Sequence, residues 1–163
     1  MYFQTSYSSP IGEITLAGNG ENLTGLWFVG QKYYPTFSMA QDDSLAVFSE
    51  IKRWLDAYFA GERPDPNALP LAPAGSGFRQ PVWELLLRIP YGQTTTYGAL
   101  AKEAAKRLGL ASMSAQAVGG AVGHNPISVI IPCHRVLGAD GSLTGYAGGV
   151  DKKRWLLTHE GAI

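Results

Sequence analysis

The chain has 163 residues, of which 45% are hydrophobic and 16% charged, with 13 basic and 13 acidic side chains. This composition excludes a disordered chain, and no apolar run approaches the ~20 residues that a membrane span needs. A single Cys excludes an internal disulfide framework and a multi-Cys zinc site. The N-terminal residues lack the basic and apolar regions of a secretory signal, so we expect a cytoplasmic protein of one domain or two small ones.

The charge is unevenly distributed along the chain. Residues 1–78 hold four basic and eight acidic side chains, a net charge of −4, whereas residues 79–163 hold nine and five, a net charge of +4. A basic half can attract phosphate groups, with an affinity that falls as salt is added. Two ordinary charged surfaces give the same counts, so charge alone does not decide between these interpretations.

Two strands and one helix are predicted in the first half of the chain. Residues 13–17 and 23–29 are apolar and β-branched, and the NGEN between them is typical of a turn, which predicts two strands. Residues 44–60 carry apolar side chains at helical spacing, which predicts an amphipathic helix capped by Ser44 or Asp43.

A proline-rich segment then separates two regions of different composition. Residues 61–77 hold four prolines, which exclude a helix or a central strand and indicate a linker. The change in net charge falls at the same place. We therefore expect an N-terminal α/β domain with a small sheet over residues 1–77, including the linker from about residue 61, and a second domain over residues 78–163.

The second domain is predicted to be mainly helical, which makes the whole chain α+β. Helices are expected over residues 80–88, 97–108, 114–122 and 151–159. The second and third of these lie close together and resemble a helix-turn-helix. One side of the third is almost entirely Gly and Ala, which fits either tight packing against another helix or the close approach of a ligand such as a DNA groove.

The segment IIPCHRV carries the most reactive side chain. A lone Cys is more often a buried small hydrophobe than a nucleophile. The neighbours of Cys133 favour its thiolate, because His134 can act as a base, directly or through water, and Arg135 adds positive potential. Adjacent residues in a strand point to opposite faces, so a direct Cys133–His134 bond requires a turn, and otherwise a water must bridge them.

A catalytic base also needs a group that orients it. Glu160, in the THEGA sequence at the end of the last predicted helix, is the candidate for this role. His159, which follows an amphipathic helix, and His124, in a Gly-His-Asn-Pro turn, are the alternatives.

Several motifs together resemble the O6-alkylguanine-DNA alkyltransferase family. They are IPCHRV, the preceding AVGGAVGHNPISVI, and the following TGYAGG and WLLTHEG, and the resemblance covers roughly residues 78–161. The first half is similar to the family only in kind, as a strand hairpin, a helix and a linker. The resemblance implies direct-reversal DNA repair, in which an alkyl group moves irreversibly from O6 of guanine, or O4 of thymine, to a protein cysteine, once per molecule.

The resemblance implies roles for five catalytic residues. Cys133 is the acceptor thiol, His134 is its water-linked base, and Glu160 completes the relay. Asn125 orders the turn before the active segment. Tyr97, at the start of a helix, helps to rotate the phosphate and donates to the lesion base.

The resemblance also implies a DNA interface and a base pocket. Residues 114–122 match a recognition helix that enters the minor groove of double-stranded DNA, and the target base is flipped out of the duplex. The implied DNA contacts are Ser114, Gln116, Ala117, Gly119, Gly120 and Arg135. The implied pocket residues are Tyr146, Ala147 and Val136.

Two features depart from the family pattern. Gln116 stands where the family usually has an Arg that fills the gap left by the flipped base. The connection between Tyr97 and Gln116 is several residues longer than usual, with KRLGLASMS as the insertion. The first half contains neither Cys nor His, so we expect no structural zinc, and we expect no cofactor, no membrane partner and a monomer.

Two other functions fit parts of the pattern. A non-catalytic protein that recognises alkylated DNA would replace the Cys, usually by Trp, and the presence of Cys133 argues against it. An unrelated Cys–His thiol hydrolase would turn over an ester or amide without DNA.

Overall fold

The first half of the chain folds into a four-stranded sheet. The computed structural model describes residues 1–75 and 77–163. In it β1 (Phe3–Ser9), β2 (Gly12–Gly18) and β3 (Leu23–Phe28) form an antiparallel meander, and β4 (Ala40–Gln41) pairs in parallel with β1. The two predicted strands are confirmed as β2 and β3. β1 is not apparent from the sequence because its mixture of Gln, Thr and Ser offers no apolar run.

One helix, α1 (Ala46–Phe59), packs against this sheet. Its buried residues follow helical spacing and are Val47, Phe48, Ile51, Trp54, Leu55 and Tyr58. The predicted caps, Ser44 and Asp43, are wrong, because the N-cap position is Leu45, which makes no side-chain hydrogen bond. Asp43 instead accepts a 2.6 Å hydrogen bond from Thr5 Oγ1, which ties the start of the helix to β1.

The proline-rich segment lies along the edge of the sheet. It contains a 3₁₀ turn at Pro66–Ala68 and then forms a parallel bridge to β3. Leu23 N–H donates to Pro70 O, and Ala72 N–H donates to Leu23 O, both at 2.8 Å. Ser76, part of the predicted linker, lies outside the described residues. These bonds hold the segment against the sheet up to the point where the second half begins.

The helices predicted in the second half are confirmed in the described residues. They are α2 (Arg79–Leu86), α3 (Tyr97–Leu108), α4 (Ala115–Gly123) and α5 (Val150–His159). A short parallel pair, β5 (Thr95–Thr96) and β6 (Val136–Leu137), joins the start of α3 to the segment after the cysteine. Across the described ranges, none of the helices has the length and apolar character needed to cross a membrane.

Local capping bonds set the limits of the helix-turn-helix formed by α3 and α4. Thr96 Oγ1 accepts from Ala99 N–H at 3.1 Å, and Gly109, with a φ of 69°, ends α3 in the left-handed conformation. Ser114 Oγ accepts from Ala117 N–H at 3.0 Å. The predicted ends of both helices are therefore close to those in the structure.

A continuous hydrophobic core joins the two halves. β3 pairs with the segment that follows α4, since Leu26 N–H donates to Pro126 O at 2.8 Å and Ser128 N–H donates to Leu26 O at 3.1 Å. Trp83 Nε1 on α2 donates to Ala121 O of α4 at 2.9 Å. The sheet thus supports the backbone that leads into the cysteine.

Candidate active site

Asn125 shapes the turn that leads into the active segment. Its Nδ2 donates to Ile131 O at 2.8 Å, and its Oδ1 accepts from Ile127 N–H at 3.0 Å. Between these two residues Val129 has a φ of 70°, which a β-branched residue rarely adopts. The structure therefore places Asn125 in the turn it was expected to order, where its amide bridges both ends of a strained loop.

Cys133 begins a single 3₁₀ turn, Cys133–Arg135, that follows Pro132. Its side chain is buried, and burial raises the pKa of the thiol, while the nearby Asn125 amide and the positive charge of Lys153 oppose this rise. The thiol is therefore protonated at neutral pH in the free protein. Forming the thiolate requires a base close by.

His134 is oriented as a base by Glu160. The side chains are fully buried, and His134 Nε2 lies 2.7 Å from Glu160 Oε2. A carboxylate only accepts, so Nε2 carries the hydrogen and Nδ1 keeps its lone pair. Within the described residues Nδ1 has no hydrogen-bond partner, so Cys133 does not donate to it directly. Burial lowers the pKa of His134 despite the opposing effect of Glu160, so the ring is neutral at pH 7 and can accept a proton.

Glu160 is the centre of a buried hydrogen-bond network at the end of α5. Besides His134, it accepts from Arg135 Nε at 2.7 Å and Arg135 Nη2 at 3.0 Å, and from Tyr58 Oη at 2.6 Å. Burial alone would raise the pKa of Glu160, but His134 and Arg135 together hold it well below its ordinary value. The carboxylate is thus ionised at neutral pH.

Arg135, an expected DNA contact, is directed into the protein. Its side chain is 9% exposed. Nε and Nη2 donate to Glu160, and Nη1 donates to Ile89 O at 2.7 Å. Each of its three nitrogens thus donates within the protein, which orients the guanidinium toward Glu160 and Ile89. Its charge is also paired with Glu160, and the cation that favours the thiolate of Cys133 is Lys153.

Lys153 is a functional candidate that the sequence reasoning missed. Its Nζ donates to Val136 O at 2.6 Å and to Thr144 O at 2.7 Å, and it lies 5.8 Å from the centroid of the Tyr97 ring. Burial lowers the pKa of this ammonium to about 8. Helical spacing could have indicated this residue. Lys153 and the C-cap Glu160 are seven residues apart and lie on the same buried side of α5 as Leu156 and Leu157.

The charge of Lys153 gives a testable effect on the thiol. In Lys153→Met we expect the pKa of Cys133 to rise by roughly 0.5–1 unit further, because an opposite charge that favours the thiolate is lost. The rate at which iodoacetamide alkylates the thiol, followed against pH by intact mass, reports this group alone because the chain has one Cys. Lys152→Met is the matched control, since Lys152 Nζ lies over the Phe28 ring. Equal thiol pKa values in both variants would contradict the assignment.

Tyr97 and Tyr146 both lie near Cys133. Tyr97, the first residue of α3, donates through Oη to Thr144 O at 3.2 Å. Burial, with a contribution from Cys133, raises the pKa of both phenols, so both remain protonated. The Tyr146 ring lies edge-on to His134 at 6.5 Å. Both phenols therefore keep a proton to donate beside the thiol.

A cavity of about 220 Å³ lies between α4 and the loop that contains Tyr146. Its lining includes Gly119, Gly120, Tyr146 and Ala147, four of the predicted site residues. Val136 does not line this cavity, because it is buried in β6. The small residues of one helix face thus leave room for a ligand rather than serving only helix packing.

The exposed face of α4 holds the other predicted DNA-binding residues. Gln116 is exposed, Ala117 is half-buried, and Ser114 caps the helix. At Gly119 a Cβ would lie 3.8 Å from the Tyr97 ring, so this position faces the start of α3. The contact of this face with DNA stays a prediction.

A loop from the first half closes one side of the cavity. Lys32 N–H donates to Ala147 O at 3.1 Å, and the Tyr33 ring stacks on His124 with the centroids 4.0 Å apart. Sequence patterns offered no signal for this loop, because it contains no regular element between β3 and β4. His124 is therefore part of the cavity wall and not of the Glu160 network.

Family models match both halves of the chain. The model described as "6-O-methylguanine DNA methyltransferase, DNA binding domain" matches residues 77–162, and the one described as "6-O-methylguanine DNA methyltransferase, ribonuclease-like domain" matches residues 2–73.

Proteins named methylated-DNA--protein-cysteine methyltransferase are similar over nearly the whole chain. The protein of Mycobacterium tuberculosis is 48% identical and covers 98% of this chain and 93% of its own length. That of Haemophilus influenzae is 41% identical, with 97% and 86% covered. That of Methanosarcina acetivorans is 45% identical, with 99% of each covered.

Solved structures share the fold. The crystal structure of Mycobacterium tuberculosis O6-methylguanine methyltransferase has a TM-score of 0.84 and 45% identity, covering 99% of this chain and 94% of that one. The structure of M. tuberculosis OGT in complex with DNA has a TM-score of 0.84 and 44% identity, covering 99% and 92%. With both halves matched by its models and the relatives aligned almost from end to end, this chain belongs to the 6-O-methylguanine DNA methyltransferase family.

Proposed function

We propose that the protein repairs DNA by moving an alkyl group from O6 of guanine, or O4 of thymine, to Sγ of Cys133. The observation that carries this proposal is the buried His134–Glu160 pair, directly after a buried thiol, in which Nδ1 has no hydrogen-bond partner among the described residues. Such an arrangement supplies a thiolate only when a base accepts its proton. The names of the relatives support the same reaction.

The proposed reaction balances with the residues of the site and one bridging water. The thiol proton passes through the water to His134 Nδ1, and Glu160 stabilises the imidazolium. The sulfur then forms a bond to the alkyl carbon as the carbon–oxygen bond breaks. The electron pair of that bond leaves with the guanine, whose ring takes a proton from the Tyr97 hydroxyl. A thioether is not hydrolysed, so each molecule reacts once.

The exposed face of α4 is the proposed contact with the minor groove of double-stranded DNA. Its small residues suit a narrow groove. The adjacent cavity, lined by Tyr146 and Ala147, is the proposed site for the base, which leaves the stack at a cost of a few kcal/mol. We propose that the protein acts on DNA as a monomer. We also place the protein in the cytoplasm, and we place the domain border within residues 61–77, where the two family models meet.

Intact-mass measurement tests the proposed function. After mixing with duplex DNA that contains O6-methylguanine, we expect every protein molecule to gain one methyl group, located on Cys133. Binding of the DNA without a gain in mass would support a lesion-recognition protein instead. Repeated turnover of an ester or amide without DNA would support a thiol hydrolase.

Gln116 is expected to limit action on duplex DNA. The hole left by a flipped base is filled better by Arg, whose planar charged group stacks and pairs, than by the shorter neutral Gln. In Gln116→Arg the transfer rate on duplex DNA at limiting protein should rise by roughly threefold to tenfold, about 1 kcal/mol. Its rate with free O6-benzylguanine should be nearly unchanged.

A matched variant separates this effect from added charge. Gln41→Arg places the same side chain at β4, on the edge of the sheet. An equal gain from Gln41→Arg, or no gain from Gln116→Arg with the fold intact, would show that Gln116 is not the residue that enters the stack.

A further inference from the structure

Tyr58 reaches the active site from the other half of the chain. It lies on α1, 102 positions before Glu160, and donates through Oη to Glu160 Oε2 at 2.6 Å. The same oxygen accepts from His134 Nε2 at 2.7 Å and from Arg135 Nη2 at 3.0 Å. One carboxylate oxygen therefore serves three donors, and one of these donors is the proposed base.

The Tyr58 ring is held in place by its neighbours. Tyr58 is 1% exposed. Its ring lies parallel to that of Trp54, with the centroids 5.5 Å apart, and forms T-shaped contacts with Phe59 at 5.1 Å and Tyr91 at 6.1 Å between centroids. Packing on several sides fixes the direction of the hydroxyl. A space-filling role would need only the ring, whereas a buried hydroxyl without an acceptor costs about 1–3 kcal/mol.

We propose that Tyr58 is a positioning residue for the alkyl transfer, whose hydroxyl holds the Glu160 carboxylate toward His134 and limits the negative charge that this carboxylate presents to the imidazole. This inference rests on the proposed function. It assigns to the first half of the chain a direct part in the reaction, in addition to supporting the fold.

The electrostatic part of this role follows from the groups around the imidazole. Burial lowers the pKa of His134, Glu160 raises it, and Arg135 and Lys153 lower it further. The groups that face Glu160 and His134 come from five elements. They are Tyr58 from α1, Tyr91 from the turn after α2, Arg135 from the 3₁₀ turn, Tyr146 from the cavity loop, and Lys153 from α5. Removing the Tyr58 hydroxyl leaves more negative charge on Glu160, so the pKa of His134 should rise.

Tyr58→Phe tests the proposal because it keeps the ring and removes only the hydroxyl. The single-turnover transfer rate on O6-methylguanine DNA is measured from pH 5 to pH 9. Protonated His134 cannot accept the thiol proton, so we expect the acidic limb of the profile to move up by roughly 0.5–1 pH unit. On the acidic limb, at pH values well below the pKa of His134, the rate should then fall by roughly threefold to tenfold.

Tyr7→Phe is the matched control. Tyr7 Oη also donates to a carboxylate of α1, Asp56 Oδ1, at 2.7 Å, and its ring packs against Phe59. This variant loses a tyrosine–carboxylate bond outside the relay, so its pH profile should match that of the unaltered protein.

Two readouts keep the test independent of folding yield and of the proposed function. Rates are normalised to the molecules that finally carry the methyl group, and the His134 ring is titrated directly by NMR. An acidic limb and a His134 titration that are unmoved in Tyr58→Phe overturn the proposal, even if the rate falls equally at every pH. An unaltered protein that transfers no methyl group overturns the proposed function instead, and the His134 titration still decides the role of Tyr58.

Discussion

Replacing Cys133 by Ser should reduce alkyl transfer below detection while DNA binding is retained. A hydroxyl is almost fully protonated at neutral pH and is a far weaker nucleophile than a thiolate, so the relay through His134 has no reactive group to activate. The site has room for the smaller oxygen, and Asn125 lies close enough to interact with it. We therefore expect a loss of stability of only about 1 kcal/mol.

Three measurements on Cys133→Ser separate chemistry from folding. Intact mass after incubation with methylated DNA should show no gain, thermal unfolding should remain cooperative, and the affinity for the DNA should be similar to that of the unaltered protein. Cys133→Ala serves as a second variant that has no hydroxyl. Continued removal of methyl groups by either variant would show that the acceptor is another residue.

Replacing Glu160 by Ala should slow alkyl transfer and lower the free energy of unfolding. The side chain balances the buried charge of Arg135 and accepts from His134 and Tyr58. Breaking a buried ion pair on one side costs about 3–5 kcal/mol, which is a large share of the stability of a domain of this size. The transfer rate of Glu160→Ala is therefore compared with that of the unaltered protein at a temperature at which urea unfolding shows that both are folded.

The stability that the Glu160 carboxylate contributes depends on pH with a defined sign. The pKa of Glu160 is lowered in the folded protein, so its contribution to stability is fully present above the unfolded value of about 4.3. That contribution disappears as the pH falls through the folded value. The difference in unfolding free energy between the unaltered protein and Glu160→Gln should therefore be constant near neutral pH and shrink in acid, and a difference that grows in acid would contradict the assignment.

The double variant tests whether the two residues act through one relay. His134→Ala and Glu160→Gln should each slow transfer, and together they should cost little more than the worse of the two, because members of one relay are not additive. Additive losses in rate, measured at equal folded fraction, would place Glu160 outside the path of the proton.

Short stretches of the sequence are enough to predict the local structure of this protein. The limits of α3 follow from Thr96 and Gly109, which act through hydrogen bonds and backbone conformation within one turn of the helix. The strands β2 and β3 followed from their apolar, β-branched runs. The motif around Cys133 indicated the thiol and its base because these residues are adjacent in the chain.

The remaining parts of the site depended on tertiary packing. Tyr58 meets Glu160 across 102 positions, and no local pattern distinguishes it from the other aromatic residues on the apolar face of α1. The sequence favours a contact between Arg135 and DNA, but the 3₁₀ turn directs its side chain inward to Glu160. Propensity and periodicity describe interactions within a few residues, whereas the partner of a buried charge is decided by which distant elements the core brings together.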